Sequence, residues 1–149
     1  MASTTRTAVP AQLGVLLAGR GAVATARVRD ALAAHGLTMR SLFTLNHLAD
    51  GPVGQQALID LLGVDPSALV AVLNELEGLG LAARQRDPAD RRRHIVTITP
   101  RGAEALKAVD AVLDSTDDDL FGALSAAERQ QLERLLAKVA DAGSCGEKY

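Results

Sequence analysis

The feature that most constrains this chain is the run from Leu58 to Gly80, where two apolar segments meet at Gly63-Val64-Asp65-Pro66. Glycine ends a helix in the left-handed conformation, aspartate caps the next helix, and proline suits its first position. Beyond that junction Leu69, Val72, Leu73 and Leu76 recur at i, i+3, i+4 and i+7, the spacing of one buried helical stripe. The pattern predicts a short helix over residues 55–62, a tight turn, and a second helix from Pro66 to Gly78, stopped by Gly80. Two strands follow. Leu81–Arg86 and the β-branched His94–Ile98 flank Asp87-Pro88-Ala89-Asp90, whose residues are turn formers.

The flanks read as helices. Residues 1–9 look like a disordered start, and a long apolar helix covers residues 10–35, with Pro10 in its first turn and Gly36 as its stop. Thr38 caps a helix over 39–49, which Asp50-Gly51-Pro52 breaks. Thr99-Pro100 opens a helix with Leu106, Val109, Leu113 and Leu120 on one face, and Asp117-Asp118-Asp119 on its solvated side or frayed end. Ser125-Ala126-Ala127-Glu128 is a capping box for a last helix carrying Leu132, Leu135, Leu136 and Val139, ending near Gly143. Only 2% of residues are aromatic, so the core is aliphatic and suited to helix-on-helix packing. The predicted fold is mainly α with a small β-hairpin wing (α+β). It is a winged helix-turn-helix, residues 37–100, between an N-terminal dimerisation helix, 1–36, and C-terminal dimerisation helices, 101–149.

The net charge of −2 hides an uneven distribution. Residues 84–101 hold six arginines against Asp87 and Asp90, whereas residues 102–149 hold ten acids against five bases. A local cationic footprint of this kind fits a polyanion at one place on the surface. The plain alternative is a solvated arginine-rich hairpin without a partner. In a helix-turn-helix the second helix enters the major groove, and an adjacent hairpin reaches the backbone or the minor groove, where arginine is favoured.

Residues 58–102 resemble the MarR family of bacterial transcriptional regulators. The resemblance rests on Leu76-Glu77, Gly80-Leu81 and Arg84 at the helix exit, and on Asp87-Pro88, Asp90-Arg91-Arg92, Ile98-Thr99 and Gly102 in and after the wing. It implies a homodimer on a pseudo-palindromic operator in double-stranded DNA, acting as a repressor. It further implies that Arg92 enters the minor groove and that Asp90 orients it through a salt bridge. Arg84, Arg86, Arg91 and Arg93 are expected at phosphates, because strand and hairpin flanks face the backbone, and Arg84 and Arg92 are expected to be exposed. On the recognition helix the candidate DNA-facing residues are Ser67, Ala68, Ala71 and Asn74. This face is poorer in hydrogen-bonding groups than is usual for the family, its alanines offering only contact with thymine methyls. The competing reading is a winged-helix protein-interaction module that dimerises and does not bind DNA.

The family often binds small aromatic anions between the dimerisation helices and the DNA-binding lobe, so a small aromatic or anionic effector is expected. By position, Arg20, Met39, Phe43 and His47 are candidates to line such a pocket if helices one and two face it, with core packing the plainer reading for Met39 and Phe43. No cofactor, metal site or catalytic set is expected: His35, His47, His94 and Cys145 lack ligand spacing, and no phosphate loop or nucleophile elbow is present. A single cysteine cannot form an internal disulfide and suits a reducing compartment. The apolar runs are too short for a membrane span. The expected protein is cytoplasmic and not an enzyme.

Overall fold

The computed structural model describes residues 12–139, so Pro10, Gly143 and Cys145 lie outside the described residues. The elements run α1 (Leu13–Ala33), α2 (Met39–Ala49), β1 (Val53–Gly54), α3 (Gln55–Leu62), α4 (Pro66–Gly78), β2 (Ala82–Arg86), β3 (His94–Ile98), α5 (Pro100–Phe121) and α6 (Ala126–Val139). Capping chemistry places most helix starts. Side chains of Thr38, Asp65 and Thr99 accept from the backbone N–H groups of Ser41, Ala68 and Gly102. The Ser125 N–H donates to Glu128 Oε2 at 2.8 Å and the Glu128 N–H to Ser125 Oγ at 3.3 Å, the reciprocal pair of a capping box.

Two helix ends use one device. Gly36 and Gly80 have φ of 69° and 71°, and the leucine after each returns its N–H to the carbonyl of Leu32 or Leu76. All four leucines are buried, so each helix stop is also a core contact. This geometry moves two predicted boundaries. Helix α1 ends at Ala33 rather than His35, because Ala34 to Gly36 form the turn. Strand β2 begins at Ala82 rather than Leu81, whose N–H is held by the α4 end.

The sheet has the order β1-β3-β2, with both pairings antiparallel and Val53 and Arg84 facing Val96 from either side. Strand β1 was not expected: two residues carry no alternation to read. The aspartates 117–119 lie inside α5, exposed, with the helix continuing to Phe121. The core gathers Leu45, Leu48, Leu58, Leu69, Leu73, Leu76 and Val96, with Leu32 of α1 and Val109 of α5 closing it. Elsewhere the outer helices bury little. Leu13, Leu16, Leu17 and Val23 of α1 and Leu135, Leu136 and Val139 of α6 are exposed. No single helix among the described residues is long and apolar enough to cross a membrane.

The start of α5 is pressed against the α4–β2 junction. Thr99 donates its N–H to Leu81 O at 3.0 Å and its hydroxyl to Gly80 O at 2.7 Å. A Cβ at Gly102 would overlap the Leu81 carbonyl oxygen and lie 2.8 Å from Ile98 Cγ1. Backbone on one side leaves no flexible group to yield. Gly102→Ala is therefore expected to destabilise the fold by about 1–3 kcal/mol, lowering the thermal midpoint by roughly 2–12 °C. Gly78→Ala, where an added Cβ meets nothing within 4 Å, should leave the midpoint unchanged or slightly raised. Thermal unfolding followed by circular dichroism checks both, and equal midpoints for the two variants would overturn the packing argument.

Candidate nucleic-acid interface

Helix α4 has three working sides. At 100° per residue, Leu69, Val72, Leu73 and Leu76 form the buried side, as the sequence pattern predicts. Ser67, Ala71, Asn74 and Gly78 are exposed opposite them. Val70 and Glu77 lie on the flank toward β2, and Ala68 and Glu75 lie on the flank toward α1 and α2. Ser67 donates its hydroxyl to the capping carboxylate, Oγ to Asp65 Oδ1 at 2.6 Å. Ala68 and Ala71 line a cleft rather than standing only as an outward apolar patch.

The wing turn is built from its own aspartates. Asp87 accepts from the Ala89 N–H at 2.8 Å, and the Asp87 N–H donates to Arg93 O at 2.9 Å. Asp90 Oδ1 accepts from the Arg92 backbone N–H at 3.0 Å. The carboxylate forms its ion pair with Arg93, Nε to Oδ2 3.5 Å, and not with Arg92 as the resemblance implied. The turn puts the side chain three residues on beside Asp90, and Asp90 shapes the backbone at Arg92 instead. Arg86, Arg91, Arg92 and Arg93 are exposed.

Arg84 departs from its expected exposure. It is half-buried, its side chain 28% exposed, against a Glu77 that is 30% exposed. Its Nε lies 3.1 Å from both Glu77 oxygens and its Nη2 2.6 Å from Glu77 Oε2. The Arg84 backbone N–H also donates to Glu77 Oε1 at 2.9 Å, covering a donor on the outer edge of β2. Nη2 reaches Asn74 Oδ1 at 2.6 Å. Hydrogen bonding from the guanidinium holds the Glu77 carboxyl below its ordinary range, against the opposing effect of burial, and Glu77 in turn raises Arg84. From the sequence Glu77 enters only as part of the Leu76-Glu77 match to the family pattern, with no role of its own. Its signal is a carboxylate on the α4 flank facing the hairpin, seven residues before an arginine on the inward face of β2.

A cleft of about 780 Å³ opens between α1, α2 and α4. Met39 and Phe43 line it, and the cations on it are Arg29 and Arg40. Arg20 does not line it: nine residues before Arg29 on α1, it projects from the opposite side of the helix. His47 lies about 12 Å along α2 from Met39, beyond the lining, and is exposed. Glu75 closes one wall and accepts from the buried Ser41 hydroxyl at 3.3 Å, itself 2.7 Å from Thr38 Oγ1. Among the described residues no group of three His, Cys, Asp or Glu side chains is placed to hold a metal ion.

The family model that matches the chain is described as MarR family and covers residues 35–93, from the start of α2 through the wing turn. The HTH-type transcriptional repressor Rv2887 of Mycobacterium tuberculosis is 32% identical over 130 residues, 87% of this chain and 94% of its own. The chain belongs to the MarR family. Among solved MarR-like structures, the transcriptional repressor CouR bound to a 23-mer DNA duplex superposes with a TM-score of 0.78 at 30% identity, over 87% of this chain and 92% of that one. CouR of Rhodococcus jostii is also known with p-coumaroyl-CoA bound. BpsR of Bordetella bronchiseptica, whose DNA binding is regulated by 6-hydroxynicotinic acid, gives 0.75 at 28% identity, over 89% and 96%. The protein is thus a winged-helix member of a family of transcription regulators, and the segment matched by the family model holds α4, β2 with the wing turn, and two walls of the cleft.

The clasp between Glu77 and Arg84 has a measurable pH signature. Because Glu77 titrates lower in the folded chain than its ordinary 4.5, its stabilisation is present above that value and is lost as pH falls through the lowered one. Glu77→Gln is expected to cost about 1–2 kcal/mol at pH 7, since it weakens charge-assisted hydrogen bonds at a partly shielded site. The gap to wild type should shrink steadily below pH 4.5. Urea midpoints at pH 7, 5 and 3.5 check this, and a gap that does not change with pH would rule out the ionic origin.

Proposed function

We propose that the protein is a homodimeric, sequence-specific transcriptional repressor that releases its operator when a small amphipathic anion binds. The observation that carries this reading is the joining of α4 to the wing by Arg84 and Glu77, beside four exposed arginines. The joined pair presents an exposed helix face for the major groove and a cationic turn for the backbone and minor groove. In this reading Arg92 reaches into the minor groove, and Arg86, Arg91 and Arg93 meet phosphates. Ser67 and Asn74 face bases. Rv2887 and CouR, repressors by description, support the direction of control.

The outer helices α1, α5 and α6 form the dimerisation part around the DNA-binding lobe, 37–100. Its support is the exposed leucine and valine surface on α1 and α6, which a lone chain of this size would leave in water. Isologous pairing of that surface gives a two-fold axis and hence a pseudo-palindromic operator. For the effector, Arg29 and Arg40 beside Leu37, Met39, Phe43 and Val72 suit an anionic group on an apolar or aromatic body. CouR and BpsR show such ligands in relatives of the same fold. The protein acts by binding, in the cytoplasm with the DNA, and not by catalysis.

Two measurements test the proposal. Sedimentation equilibrium at micromolar concentration is expected to give twice the 15.5 kDa chain mass, and Leu16→Glu with Leu136→Glu should shift it to monomer. Binding to duplexes selected from a randomised pool should fall with salt at a log–log slope of about −5 to −9, as for roughly 6 to 10 neutralised phosphates. A flat salt response with an intact dimer would leave the protein-interaction module standing instead.

A further inference from the structure

We infer that Arg84 is a positioning residue for sequence readout: it turns the amide of Asn74 so that this residue meets the major groove as a hydrogen-bond donor and reads guanine. The inference rests on the proposed placement of α4 in the major groove.

A guanidinium carries only donors. The group it touches on Asn74 must therefore be the carbonyl, and the 2.6 Å contact from Nη2 to Oδ1 fixes which way the amide faces by chemistry rather than by choice. The guanidinium cannot swing away freely, because Nε and the same Nη2 are held by both oxygens of Glu77. Glu77 is anchored in turn by the Arg84 backbone N–H. The planar fork thus spans two residues one turn apart on α4, a geometry that a point-charge ammonium does not reproduce. Asn74 is exposed on the outward side of α4, and with Oδ1 engaged by Arg84 the Nδ2 hydrogens are the groups left to offer a partner.

An asparagine free to turn pairs with adenine, accepting from N6 and donating to N7. Here the accepting oxygen is drawn toward the wing, and turning it to adenine breaks the short bond to Arg84. The remaining donors match guanine, whose edge offers N7 and O6, both acceptors. Arg84 then contributes to specificity without touching DNA. Its charge is neutralised by Glu77, so it adds little to phosphate attraction.

The test is selection of operators from a randomised duplex pool by wild type, Asn74→Ala, Asn74→Asp and Arg84→Lys, with affinities and salt slopes on the selected sites. Wild type should prefer guanine at one symmetric pair of positions by about 10- to 100-fold. Asn74→Ala and Arg84→Lys should lose preference at that same pair and keep it elsewhere, with unchanged salt slope. Asn74→Asp keeps an acceptor for Arg84 but has no donor, and should shift the preference there toward cytosine, whose N4 amino group donates. Should Arg84→Lys fold poorly by circular dichroism, the two Asn74 variants still decide. Adenine at that pair in wild type, or no change with Asn74→Asp, would overturn the inference. So would an Arg84→Lys variant that folds, keeps every base preference and loses affinity evenly. If wild type selects no sequence and its binding ignores salt, the DNA-binding reading fails first, and this one with it.

Discussion

The carboxylate of Glu77 and the guanidinium of Arg84 meet where the end of helix α4 passes the edge strand of the wing, and the arrangement of both DNA-facing elements depends on that contact. An edge strand carries unsatisfied N–H groups, and a helix laid beside it is free to slide unless something fixes the register. One carboxylate does both here, accepting from the strand backbone and from the arginine side chain. The pair is partly shielded from water, so its hydrogen bonds are worth more than those of the exposed pair between Arg93 and Asp90. Helix and wing therefore present their surfaces as one unit, and any force that tilts α4 is passed to the arginine-bearing turn.

The poverty of α4 in polar residues looks ill suited to base recognition when read as a single outward face. The structure divides that face. Ala68 and Ala71 border the cleft shared with α1 and α2, where small side chains leave room, while Asn74 and Glu77 lean toward the wing. A molecule seated against Ala71 and Glu75 would touch the helix that carries Asn74. Cleft and outward surface are thus adjacent sides of one rigid rod, sharing Ala71 at their border.

Apolar surface is distributed with the same economy of parts. With few aromatic residues, the core relies on leucines buried where α2, α3, α4 and the sheet converge, closed by Leu32 of α1. The outer helices α1 and α6 leave a run of leucines and valines in solvent, and in the winged lobe Phe43, Leu61, Val70 and Leu79 are exposed as well.

Local chemistry was legible in the sequence. Asp65-Pro66, Thr38, Thr99-Pro100 and the Ser125–Glu128 box set helix starts through contacts within three residues, and the stripe of α4 set its buried side. The hairpin and its cationic turn were equally clear, because β-branched residues and turn formers act on their own neighbours. Strand β1 was not legible, since two residues carry no period and Val53 is a strand only because Val96 lies beside it. Nor were the partners of Arg84, which as one arginine among six reads from sequence as a phosphate contact. The cleft's cations were misplaced for the same reason: the choice of Arg29 over Arg20 depends on which side of α1 faces α2 and α4. Caps, turns and stripes are decided by bonds between near neighbours. Which arginine is clasped, which flank of a helix meets a cleft and which amide is turned depend on groups brought together from distant parts of the chain, and only tertiary packing decides them.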